Sequence, residues 1–300
     1  MDKADFPWKQ PDQVEVEKLK QELKEDSSVK VLLERGDIDA SCIDRFPYQI
    51  HKWRQDFAPC IGCKSLSACS QKKKGYFMSL KYDGILQRVE TACRYEREKL
   101  KQQKHLERYL LNDMPEHLYS VMLGNIDLSH ESSAYVTVFA KAAQASLMNR
   151  SVYLYGTMGS GKTYLCAGAC NEHACRGEKT AFIHYPTFTS KMASMAYSGE
   201  FRSAVEKLSY AKFVVIDDIG AESVTEWNRD NILLPVLNAR YEAKLPTWFT
   251  SNYDPAALKS HFSFTSKGNE DLLKAARIVE RIEAGCELLA LSCEDRRKSV

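Results

Sequence analysis

Gly156-Thr-Met-Gly-Ser-Gly-Lys162-Thr163 is the stretch on which the reading of this chain turns. It satisfies the phosphate-binding pattern G-x-x-x-x-G-K-[ST] at every fixed position. An apolar run rich in strand formers, 151–155, leads into it, and 164–170 reads as the helix that follows. Gly156, Gly159 and Gly161 let the backbone curl tightly, with Thr157 and Ser160 between them, so that N–H groups face phosphate oxygens. The helix N-terminus adds further donors and partial positive charge. Lys162 is placed to reach the β- and γ-phosphates, and Thr163 to offer its hydroxyl to Mg²⁺.

A second stretch supports the first. Phe213-Val-Val-Ile-Asp217-Asp218 is an apolar strand ending in two carboxylates, about sixty residues after the loop. Asp217 is expected to hold Mg²⁺, directly or through water. Asp218 stands where many ATPases of this class place the carboxylate that polarises the attacking water. The strand 246–252 ends in Asn252, the position of the amide that orients that water in additional-strand ATPases. A helix over 271–284 carries Arg277 and Arg281 one turn apart. Either suits an exposed ion pair, or a neighbouring subunit's γ-phosphate in an oligomeric ATPase. Other expected elements are helices over 132–148, 188–208 (broken near 198–199) and 227–243, and strands over 180–185 and 287–292. A basic tail is expected over 294–300.

Three hundred residues allow two domains, and a net charge of +2 announces no global field for nucleic acid. No run of 18 apolar residues is present, and the first residues lack an apolar signal core, so a cytoplasmic protein without a membrane span is expected. In that compartment the ten cysteines read as reduced thiols or metal ligands rather than disulfides.

Three of them cluster. Cys60-Ile-Gly-Cys63 is a knuckle from which two thiolates can hold one Zn²⁺, and Cys69 follows six residues later. Two strands, 76–82 and 85–90, turn at Asp83-Gly84 and would return the chain so that Cys93 supplies the fourth ligand. His51 and Cys42 are the reserves. Lys72, Lys73 and Lys74 read as a solvated loop, with phosphate contact as the alternative. Upstream, 14–35 shows the spacing of one or two helices. A further helix over 38–56, capped by Asp37 or Asp39, places Ile43, Phe46, Ile50 and Trp53 on one face. That face suits core packing or a partner. The charged stretch 94–111 reads as an exposed helix joining two domains. The expected division is a domain over 1–93, a helical linker over 94–113 and a nucleotide domain over 114–300. Within 186–210, Phe188, Lys191, Tyr197, Phe201 and Arg202 combine aromatic and basic side chains. They suit single-stranded DNA or a helix packed on the sheet.

Four stretches carry a resemblance: 153–163, Ile216-Asp-Asp-Ile-Gly-Ala-Glu-Ser223, Leu245-Pro-Thr-Trp-Phe-Thr-Ser-Asn252 and Ala275-Ala-Arg-Ile-Val-Glu-Arg-Ile282. Together they span nearly all of 115–300, which resembles the AAA+ helicase loaders of bacterial replication. The resemblance implies an α/β AAA+ P-loop domain, a parallel sheet flanked by helices and lacking the small helical lid. It implies a preceding small, mostly helical zinc-binding domain with a β-hairpin that engages the hexameric replicative helicase. ATP, Mg²⁺ and Zn²⁺ are the implied cofactors, with slow ATPase turnover. Self-association and single-stranded DNA are the further implied partners. Arg281 is then the favoured residue for reading ATP in the next subunit, ahead of Arg277 and Arg240. One departure concerns the metal: the family pattern has a histidine after a Gly-Tyr pair, whereas Gly75-Tyr76 here precedes Phe77, which cannot ligate. A transposition-helper ATPase and a nucleotide-gated adaptor with little hydrolysis are the rival readings.

Overall fold

The computed structural model describes residues 12–292, except 197, 267 and 269. The chain divides into two units after Gln102.

In the first unit, α1 (Gln13–Glu25) and α2 (Ser27–Glu34) are separated by Asp26, whose carboxylate accepts from the N–H groups of Ser28 and Val29. The helix expected over 38–56 is two. Asp39 accepts from the Cys42 N–H at 3.2 Å, and α3 spans Ser41–Arg45. Pro47 then opens α4 (Pro47–Phe57) at its first turn, because proline disfavours helical backbone in the residue before it. Ile43, Ile50 and Trp53 are buried together with Leu23, Val29 and Leu80, so the shared apolar face packs a core. The Trp53 indole N–H donates to Met78 O at 2.8 Å and ties α4 to the hairpin of β1 (Tyr76–Tyr82) and β2 (Leu86–Ala92). This hairpin pairs Tyr76 with Ala92 and does return the chain: the Cys93 N–H donates to Gly75 O at 2.7 Å.

The single helix expected over 94–111 is helical only in α5 (Arg94–Gln102). A 3₁₀ turn follows, and β3 (Tyr109–Asn112) pairs in parallel with β5 (Thr180–His184). Thus the last part of the expected linker includes an edge strand of the second unit. Tyr109, Leu110 and Leu111 pack on that unit's core, and the high charge nearby concealed this short apolar run.

The second unit is a six-stranded parallel sheet in the order β3-β5-β6-β7-β4-β8, with β4 Ser151–Tyr155, β6 Phe213–Asp217, β7 Thr247–Ser251 and β8 Cys286–Ala290. Alternate residues feed separate cores on its two faces. Val214 and Ile216 enter one, and Phe213, Val215 and Trp248 the other, as expected for parallel strands covered on both sides. The flanking helices are α6 (Ser133–Leu147), α7 (Lys162–Cys175), α8 (Tyr185–Ser194), α9 (Gly199–Tyr210), α10 (Glu226–Asn228), α11 (Leu234–Glu242), α12 (Pro255–Ser263) and α13 (Leu272–Gly285). Pro235 does not end its helix. A π turn over Arg229–Leu233 widens the coil just before it, so that Leu234 N donates to Arg229 O. The expected basic tail lies outside the described residues. No described helix is long and apolar enough to cross a membrane.

Candidate nucleotide site

β7 lies between β4 and β6, so three strand ends converge on one cleft of about 850 Å³. β4 delivers the glycine loop. Gly156 has φ of 140°, and a Cβ there would stand 2.2 Å from Leu291 O, so no other residue lets β8 approach this closely. Gly161, at φ 97°, turns the chain into α7. Lys162 lies along the inside of the loop. Its Nζ donates to Gly156 O (3.0 Å), Thr157 O (2.8 Å) and Asn252 Oδ1 (3.1 Å).

β6 delivers the acidic pair. Asp217 Oδ1 accepts from Thr163 Oγ1 at 2.8 Å and from Thr250 Oγ1 at 2.7 Å. Burial pushes its carboxyl above the usual range, and the two hydroxyl bonds oppose that shift. Asp218 adopts the left-handed φ of 59°, which turns its side chain into the cleft. Asn252 Nδ2 lies 3.4 Å from Asp218 Oδ1, so the amide bridges the lysine and the second carboxylate.

The structure therefore gathers Lys162, Thr163, Asp217, Asp218 and Asn252 around one cleft. Two participants were missed. Thr250 holds Asp217 through its hydroxyl and also accepts from the Asp218 N–H at 2.8 Å. His184 ends β5 in register with Asp217, and its Nε2 is 3.7 Å from Asp218 Oδ2. Both lie at the carboxyl ends of parallel strands, where open α/β sheets bind ligands, and that rule was the available signal.

The donor set fits a Mg-nucleoside triphosphate. Ser160 Oγ, inside the loop, is fully buried and has no hydrogen-bond partner among the described residues. Lys162 and the N-terminus of α7 supply positive charge for phosphate oxygens, while Thr163 and Asp217 offer oxygens to a hard cation. Since burial raises the Asp217 pKa, ionising this carboxyl opposes the ligand-free fold, an opposition absent at low pH that appears as pH rises above the ordinary carboxylate range. Asp217→Asn keeps an acceptor for both hydroxyls and removes that burden. Calorimetry should show a ligand-free melting point equal to or above wild type. The Mg-nucleotide stabilisation, about 2.7 kcal/mol at a hundred times Kd, should be lost. A variant that still gained it would take Asp217 out of the metal's shell.

The other expected residues fall elsewhere. Arg277 and Arg281 are exposed on α13 beside a separate pocket of about 350 Å³. Arg281 Nε donates to Asn238 Oδ1 at 3.2 Å, and its guanidinium lies 4.7 Å from the Tyr241 ring centre. Arg240 cannot reach a neighbour. It is buried, and its guanidinium donates to Thr247 Oγ1 and to the carbonyls of Leu208, Ala211 and Pro246. Phe188 is in the core and Phe201 packs on Trp227 at 5.2 Å, so neither is free to stack on a base. Lys191 and Arg202 are exposed, and Tyr197 lies outside the described residues.

Cys60, Cys63, Cys69 and Cys93 line one cavity of about 520 Å³. Among the described residues, however, no three His, Cys, Asp or Glu side chains are grouped to hold one metal ion, so the expected ligand set is not assembled. Three of these thiols have a local partner instead: the Gln71 amide donates to Cys60 Sγ, the Gly75 N–H to Cys69 Sγ, and Cys63 Sγ donates to Ser65 O. The reserves are further removed in role, Cys42 in the core and His51 facing Arg54 and Gln55 of its own helix.

Comparison with known proteins decides the family. The family described as IstB-like ATP binding protein matches residues 66–299, more than half of the chain. The chain belongs to this family. Its cleft is thus that of an ATP-binding protein of the AAA+ type, and the loop, Thr163 and Asp217 have the chemistry to receive a nucleotide and its cation. The IstB-like chain is also 29% identical to the replicative helicase loader DnaI of Bacillus subtilis (strain 168), over 95% of this chain and 94% of that one. A crystal structure of DnaI matches with a TM-score of 0.54 at 28% identity, covering 65% of this chain and 100% of that one. A proposed primosome component from Streptococcus pyogenes serotype M3 matches with a TM-score of 0.51 at 26% identity, covering 64% and 96%.

Proposed function

We propose that this protein is an ATP-dependent loader that binds the hexameric replicative helicase and delivers it onto single-stranded DNA. The similarity to the Bacillus subtilis loader carries the reading, because it runs over 95% of the chain and so takes in both units. The second unit is the timer. ATP sits in the cleft, Asp218 and Asn252 direct the attacking water, and hydrolysis resets the assembly. Aspartate at 218 is one methylene shorter than glutamate, and turnover is correspondingly slow. Subunits associate through the second unit, with Arg281, or failing it Arg277, presented to the next subunit's γ-phosphate. Both are exposed on one helix face, which supports this role. The test is co-purification with the replicative helicase of the same organism, with and without ATP. Recovery of the pair supports the reading, and failure under every nucleotide condition sinks it.

The first unit is the helicase-binding element in this reading, and Zn²⁺ draws Cys60, Cys63, Cys69 and Cys93 together. Their placement around one cavity and the hairpin's return at Cys93 support the idea. Elemental analysis should find one zinc per chain. It should fall by half or more in Cys63→Ser and Cys93→Ser but hold in Cys42→Ser and His51→Ala. Full zinc in Cys93→Ser would assign the fourth ligand elsewhere.

A further inference from the structure

The geometry points to Glu222, backed by His261, as a positioning residue that holds Asp218 in its catalytic conformation. This rests on the ATPase reading above. The turn after β6 is unusual: Asp218 has φ of 59° and Gly220 φ of 97°, and left-handed backbone is unfavourable for an aspartate. Something must hold it there. Thr250 anchors its first half, taking the Asp218 N–H on its hydroxyl and the Ile219 N–H on its carbonyl. Its second half is anchored by Glu222, whose Oε2 accepts from the Gly220 N–H at 2.8 Å.

Glu222 is 5% exposed, in an environment where a carboxylate needs a partner. Its other oxygen, Oε1, has no hydrogen bond among the described residues, and neither has His261 Nε2, 3.7 Å away. These two atoms face each other at a distance just too long for a bond. His261 belongs to α12, the helix that follows the sensor amide, and its ring stacks on Tyr253 at 5.5 Å. Tyr253 in turn closes over Gly220, where an added Cβ would lie 2.7 Å from its ring. Glu222 and His261 thus clamp the carboxylate turn and the segment bearing Asn252 into one block. The bond between them is available to tighten that block when the cleft closes on nucleotide.

The test is steady-state ATP turnover with ATP affinity measured separately. Glu222→Leu fills the space but deletes the acceptor. It should lower kcat about 10- to 100-fold, the loss expected for a group misplaced by about 1 Å. ATP Kd should stay within about threefold, since no group that touches the phosphates changes. Glu222→Gln retains an acceptor for Gly220 and offers His261 a donor, and it should restore kcat to within about threefold. A general loss of structure would move Kd and kcat together and would not be rescued. Should Glu222→Leu fail to fold, His261→Phe keeps the stack on Tyr253 and removes only the nitrogen. It should lower kcat several-fold with Kd unchanged. Wild-type kcat in whichever of these two variants folds would overturn the inference. Absence of turnover in the wild-type protein, by contrast, would overturn the ATPase reading itself.

Discussion

Lys162→Ala should weaken ATP binding by about 100-fold or more and abolish helicase delivery. The ammonium makes charge-assisted bonds to two phosphoryl groups in such loops, each worth about 1.5–3 kcal/mol. Losing about 3 kcal/mol corresponds to two decades of affinity. The fold itself should survive. Without phosphate, Nζ holds the carbonyls of Gly156 and Thr157 and the amide oxygen of Asn252, all beside an open cleft that water can enter. The melting point should therefore change by the equivalent of about 1 kcal/mol. Fluorescent-nucleotide titration and calorimetry on the same sample separate the two effects. Near-normal affinity would mean that the loop binds by its backbone alone.

Arg240→Ala should do the opposite, destabilising the second unit while leaving the cleft's own side chains in place. The guanidinium caps the C-terminal end of α9 through Leu208 O and Ala211 O and pins the start of β7 through Pro246 O and Thr247 Oγ1. Its removal strips a donor from the buried carbonyls of Leu208, Ala211 and Pro246, of which Pro246 O keeps the Val214 N–H, and leaves a cavity the size of its side chain. The expected loss is about 3–5 kcal/mol, a fall in melting point on the order of 10 °C for a unit of this size. Arg281→Ala is the contrast. That side chain is exposed and makes one hydrogen bond, so the melting point should hold while ATP turnover of the assembled protein falls with affinity unchanged. Unaltered turnover would exclude Arg281 from acting across subunits.

The two arginines show where the sequence was legible and where it was not. Both stand on helices among apolar residues, and periodicity alone cannot say which one the fold buries. Chemistry confined to one short segment was readable: Lys162 and Thr163 follow three glycines, and Asp217 ends an unbroken apolar strand. Asn252 was readable because a polar residue closing a strand stands out. Thr250 sits inside the same strand and looks like any β-branched strand former, yet it bonds Asp217 and Asp218 alike. The pairing that gives it this role is between strands 30 residues apart in sequence, which local pattern does not reveal. His184 was hidden for the same reason, and Glu222 because its facing partner, His261, is distant in sequence. Phe188 and Phe201 were ambiguous because aromatic residues serve a core as well as a base stack, and the sheet took both. The first unit's helices were legible in outline, but the break at Pro47 was overlooked in favour of apolar spacing that continues across it.

The most direct test of the central claim is retention of the replicative helicase on a closed circle of single-stranded DNA, measured after free protein is removed by gel filtration. The wild-type chain with ATP should leave helicase on the circle, whereas omission of ATP or use of Lys162→Ala should leave it in the free fraction. Equal retention in all three conditions, or none in any, would contradict an ATP-driven loader.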